Sequence, residues 1–226
     1  VASIGFGEGS RVENESGVYL GAELRPFKKW VFNTYFDQFQ FPWMRYQVDA
    51  PSSGYDFLAQ LEYDPSYRFG FYIRYRDRNK QINSREDTEG IRTLVDNPRK
   101  NLRLNFTYSA SRQLNFTSRI EFSEYQRGNE PKANGFMVYQ NVSYEFKKTP
   151  LRLVARYAFF DTDSYDARIY AYENDVLYSF TIPAYSGRGT RVYAMARYKM
   201  NRRLSFWLRW SQFYYTDRHE ISSGKE

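Results

Sequence analysis

The residues with the greatest chemical potential are arginines set at alternate positions among apolar neighbours. Arg68, Arg74, Arg103, Arg119, Arg152, Arg156, Arg191, Arg197 and Arg209 share this setting. A guanidinium keeps its charge at any physiological pH and presents a fork that matches carboxylate or phosphate. Lined along one face, these groups form a cationic passage that selects anionic solutes or threads a polyanion such as DNA. Alternatively they pair with Asp56, Glu62, Glu121 and Glu145 and fill a narrow interior. Tyr72, Tyr139 and Tyr193 fall on the same face and offer rings for stacking. Any barrel of this composition offers such rings, so nucleic acid is not expected as a partner of this segment.

Other candidate chemistry is thin. His219 is the one histidine, with Asp217, Glu220, Ser222 and Ser223 close in sequence. A hydrolytic site needs such groups aligned in space, and proximity along a loop does not align them. Asp161, Asp163 and Asp166 offer oxygen ligands to a hard cation, but the spacing and turn glycine of a calcium loop are missing. The chain has no cysteine, which removes disulfides, thiolate zinc sites and thiol catalysis. The expectation is a non-enzymatic protein with no metal and no cofactor.

The elements that position the arginines are strands. Residues 67–76 read YRFGFYIRYR, with Tyr67, Phe69, Phe71, Ile73 and Tyr75 on one face and Arg68, Gly70, Tyr72, Arg74 and Arg76 on the other. Residues 102–109 and 151–159 alternate in the same way, as do 18–25, 30–39, 55–63, 114–123, 136–146, 192–200 and 204–210. Strands of this length suit a tilted crossing of a bilayer, which takes about 9–11 residues. Phe, Trp and Tyr make up 20% of the 226 residues, yet mean hydropathy is only −0.76. That combination excludes disorder and helical membrane spans. It fits greasy and charged stripes alternating along every strand.

Two orientations are open. In a soluble sandwich the rings face inward and the arginines face water. In a membrane barrel the rings face lipid and the arginines line the lumen. Aromatic residues near strand ends, namely Trp30, Tyr55, Tyr63, Tyr67, Tyr75 and Trp210, favour the second, because such rings form girdles at the headgroup level. Connections alternate between short ones at 26–29, 64–66, 111–113, 147–150 and 201–203 and long ones at 40–54, 77–101, 126–134 and 161–189. Short turns on one side and long loops on the other are an outer-membrane pattern.

With the short turns placed in the periplasm, strand direction requires 161–189 to begin and end outside. It is predicted to be a single excursion, either a hairpin above the membrane or a plug folded inward. The alternative is two further spanning strands near 167–173 and 175–181. The same count leaves Val1–Phe6 as the only stretch for a preceding strand and no strand after Gly224. The reading is therefore an incomplete barrel of about 10–12 strands, an even count being usual for bacterial barrels.

The C-terminal stretch carries more specific markers: 172–178 (YENDVLY), Ile182 with Pro183, 186–189 (SGRG), 197–199 and 216–224 (TDRHEISSG). In these it resembles the barrel region of Bacteroidota outer-membrane proteins that carry an N-terminal helix-hairpin-helix module. The resemblance covers roughly the last quarter of the chain. It implies an antiparallel transmembrane barrel in the bacterial outer membrane, with the bilayer and its lipopolysaccharide as partners and other envelope proteins as candidate partners. No helix-hairpin-helix segment occurs here, so a DNA role of that module does not carry over. Three function classes remain in order: a structural or passive-channel barrel with an Arg-rich lumen, a barrel subunit of a secretion, transport or DNA-uptake complex, and an outer-membrane enzyme.

Overall fold

The computed structural model describes residues 15–85, 92–217, 220–221 and 224–225. Eight strands come first: β1 (Ser16–Leu24), β2 (Trp30–Phe41), β3 (Ser52–Ser66), β4 (Phe69–Asn83), β5 (Leu94–Ser109), β6 (Leu114–Tyr125), β7 (Ala133–Glu145) and β8 (Leu151–Thr162). A single 3-10 turn (Tyr165–Ala167) follows, then the two-residue strands β9 (Ile169–Tyr170) and β10 (Ala184–Tyr185), which pair with each other. β11 (Arg188–Lys199) and β12 (Ser205–Tyr215) complete the long strands, and a small pair, β13 (Glu220–Ile221) and β14 (Gly224–Lys225), comes last.

The ten long strands form one antiparallel sheet in chain order, with β8 pairing to β11 across residues 163–187. The intervening residues add no long strand, so the alternative of two further long strands there is excluded. Among the described residues β1 and β12 are free edges, and the sheet does not close on itself. The stretch 1–6, assigned above to a preceding strand, lies outside the described residues.

One prediction is corrected at the long connections. The loop expected over 77–101 is mostly strand, because β4 runs to Asn83 and β5 starts at Leu94. The reason is visible on the outer face. Phe71, Ile73 and Tyr75 are paired with Phe106, Leu104 and Leu102, but beyond them come Asp77, Asn79 and Gln81 opposite Lys100, Pro98 and Asp96. Backbone pairing persists there while the hydrophobic period that announces it has gone.

The sheet has two unlike faces. The outer one exposes apolar side chains: Val18 at 61%, Tyr157 at 57% and Leu208 at 74%. The inner one buries polar and charged side chains: Asp56 at 2%, Glu121 at 3%, Arg156 and Arg191 at 6%. A water-soluble fold buries its apolar stripe and leaves charge outside, so the exposure is inverted relative to that rule. Outer-face rings stack across strands, Trp30 on Tyr63 at 4.4 Å and Phe122 against Phe136 at 5.1 Å. An apolar cluster does form on the inner face, from Met137, Tyr139, Ala158 and Phe160 of β7 and β8 with Ile169, Ala171 and Tyr185. It is the surface on which residues 163–187 rest.

Candidate functional site on the inner face

Residues 163–187 leave β8 and turn back over the inner face of β6, β7, β8, β11 and β12. The approach is close. Ser123 Oγ donates to the Ala167 carbonyl at 2.6 Å, and Arg156 donates to the Tyr172 carbonyl at 2.7 Å. Gly135 makes room for the turn, since a Cβ there would stand 2.5 Å from the Ala167 oxygen and 2.4 Å from Ser123 Oγ.

At the centre of the contact lies Glu173, fully buried. Arg191 of β11 meets it with two hydrogen bonds, at 2.6 and 2.8 Å. Arg209 of β12 also donates to it, and the Tyr185 hydroxyl donates at 2.9 Å. A buried carboxylate is tolerated only when its lone pairs are filled in this way. Burial, reinforced by the Glu173 charge, pushes the Tyr185 hydroxyl well above the usual phenol range, so it remains a donor at every physiological pH. Asp175 sits beside this knot. It accepts from Ser179 Oγ at 3.0 Å, the Val176 N–H at 2.8 Å and Thr181 Oγ1, and it approaches Arg209 at 3.8 Å. Tyr193 donates to Asn141 Oδ1 at 3.0 Å and accepts from Asn174. The guanidinium of Arg156 stacks 3.9 Å from the Tyr139 ring, and that of Arg191 lies 4.1 Å from the ring of Phe213.

The inner face of β3–β6 is built differently. A cavity of about 310 Å³ opens between these strands and residues 168–170. Six arginines line it: Arg74, Arg76, Arg78, Arg99, Arg103 and Arg168. Arg103 forms two hydrogen bonds to Glu121, at 2.8 and 2.9 Å, and Arg76 pairs with Asp56. An adjoining cavity of about 220 Å³ shares Arg78, Arg99 and Arg168 and extends the cationic surface to Lys80.

The arginines singled out from sequence therefore separate into three groups. Arg156, Arg191 and Arg209 hold the inserted segment. Arg74 and Arg103 line the cavity, and beside them Arg119 contacts Asn105 Oδ1 at 3.2 Å and the Tyr72 hydroxyl at 3.4 Å. Arg68, Arg152 and Arg197 lie exposed toward the short turns, where Arg152 and Arg197 are cross-strand partners and Glu145 stands opposite Arg152. Glu62 accepts from Gln60 and Asn33. Of the ring set, Trp30 and Tyr63 stack at the short-turn end, Tyr55 lies toward a long loop, Tyr67 occupies the β3–β4 turn, and Tyr75 and Trp210 stand mid-strand rather than at the strand ends expected of them.

Asp161, Asp163 and Asp166 do not converge. They bind Arg188, the Asn134 N–H and Arg85 respectively, and among the described residues no acidic or histidine group could hold a metal. His219 lies outside the described residues. Sequence reasoning missed Glu173, Asp175, Tyr185, Arg78, Arg99 and Arg168. A run of four cations at alternate positions, Arg74, Arg76, Arg78 and Lys80, was the available signal for the cavity. The chain matches no protein-family model, no curated protein and no solved structure.

Proposed function

We propose that this chain is the wall of a bacterial outer-membrane β-barrel, non-enzymatic, whose arginine-rich lumen is filled along β6–β8, β11 and β12 by residues 163–187. The observation that carries this reading is the inversion of exposure: rings and aliphatic groups stand on the open face, and ion pairs are buried on the other. Lipid is the solvent in which that arrangement is stable, since exposed apolar side chains then lose nothing and the charges keep their partners. Spanning sheets must close, so the free edges of β1 and β12 call for further strands between them.

A passive barrel with such a filling conducts little until the filling moves. In planar bilayers the full-length chain is expected to show low baseline conductance, and Glu173→Gln to raise it, with anions preferred over cations. Equal silence from both forms over a wide voltage range would remove the channel function. A second reading, a subunit of a larger envelope assembly, has one specific support. All nine residues of β1 are exposed, on both faces of the strand, as for a strand awaiting a neighbour. A stoichiometric partner retained in mild detergent is its expected sign.

A further inference from the structure

The cavity on β3–β6 carries more positive charge than its own acids neutralise. Three of its six arginines have a carboxylate: Arg103 has Glu121, Arg76 has Asp56, and Arg168 has Asp166 at 3.8 Å. The other three have none among the described residues. Arg74 donates to the neutral side chain of Gln60, and Arg99 donates to the Asp166 backbone carbonyl. Arg78 makes no hydrogen bond or ion pair among the described residues. The register compounds this, because Arg74 faces Arg103 and Arg78 faces Arg99 directly across the β4–β5 pair. Like charges directly opposite on one sheet face are destabilising. Two such pairs, with Arg76 between them and Arg168 folded over them, are an arrangement that stability alone does not favour.

We infer that this cavity is a binding site for a small phosphate-bearing anion, held by Arg74, Arg78 and Arg99. Guanidinium forks match phosphate oxygens in pairs. Three unmatched positive charges in about 310 Å³ call for a dense anion. A phosphate group carries about −1.5 to −2 with three acceptor oxygens, whereas a carboxylate carries one charge on two. A diphosphate therefore balances the site with few atoms. The adjoining cavity, lined by Arg78, Lys80, Arg99 and Arg168 against the single carboxylate of Asp166, gives such a solute a net cationic approach from the long-loop side. The inference rests on the proposed lumen, which a solute must be able to enter.

The test is titration calorimetry of the full chain folded in detergent, with inorganic pyrophosphate as probe. The wild type is expected to bind. Arg78→Gln and Arg74→Gln are each expected to weaken binding by about tenfold, the order of one charge-assisted contact. Arg197→Gln, on the same face but outside the cavity, is expected to leave binding unchanged. Because Arg78 holds no partner among the described residues, Arg78→Gln should melt no lower than the wild type, and higher if repulsion from Arg99 is relieved. Arg78→Lys, which keeps the charge but loses the fork, should bind between the two. No binding by the wild type at millimolar pyrophosphate overturns the site, as does equal weakening by Arg197→Gln or tighter binding of citrate than of pyrophosphate. A chain that enters lipid but ignores pyrophosphate removes this site and leaves the barrel standing. One that binds pyrophosphate in detergent yet never enters lipid upholds the site and removes the barrel.

Discussion

Glu173 is the residue on which the inserted segment depends. Removing its charge leaves Arg191 buried without a counter-ion and Arg209 with only Asp175 at 3.8 Å, and breaking a buried pair in this way costs about 3–5 kcal/mol. Glu173→Gln is accordingly expected to release the segment, read as protease cleavage within 172–182, while the ten-stranded sheet keeps its circular-dichroism signal. Gly135→Val should loosen the same contact from the wall side, since its side chain would collide with the Ala167 carbonyl. Asp175 gives the contact a pH limit. Burial pushes its carboxyl up, but the hydrogen bonds from Thr181, Val176 and Ser179 and the charge of Arg209 outweigh burial and hold it below the ordinary 3.8. A depressed folded value stabilises above the unfolded one, so the contribution is complete above roughly pH 5 and fades as pH falls through the folded value. Asp175→Asn should flatten that acid limb of segment release. None of this was legible in sequence. Glu173 sits in a polar stretch, YENDVLY, that reads as solvated loop, and its partners lie 18 and 36 residues away. Only the pairing of β8 with β11 and of β11 with β12 brings them together.

At the level of elements, the ten long strands were legible because each alternates apolar and polar residues. That signal requires one apolar face. Where β4 and β5 continue as Asp77, Asn79 and Gln81 opposite Lys100 and Asp96, both faces are polar, so hydrogen-bonded strand looked like loop. The ring pairs tell a similar story. Trp30 and Tyr63 were picked out as strand-end aromatics, whereas their stacking follows from a β2–β3 register that alternation does not fix. The outer stripe supports a prediction about the wall itself. Leu104 lies between Ile73 and Ile120 on the outer face. In lipid, Leu104→Arg is expected to lower folding stability by about 2–4 kcal/mol, the midplane value for barrels. On a water-facing surface the same change would fall within about 0.5 kcal/mol. Urea titration in vesicles distinguishes the two.

The whole molecule is an open sheet with a greasy exterior and a charged interior, and the account depends on which solvent each face meets. β12 supplies a direct comparison, because Trp207 and Trp210 project to opposite faces of one strand, with Arg197 stacked 5.4 Å over Trp207 on the inner side. Chains retaining a single tryptophan, either Trp207 or Trp210, can be folded into vesicles whose acyl chains carry bromine, a contact quencher of indole fluorescence. The account predicts strong quenching of Trp210 and little of Trp207. Quenching of neither, or of Trp207 in preference to Trp210, would contradict it.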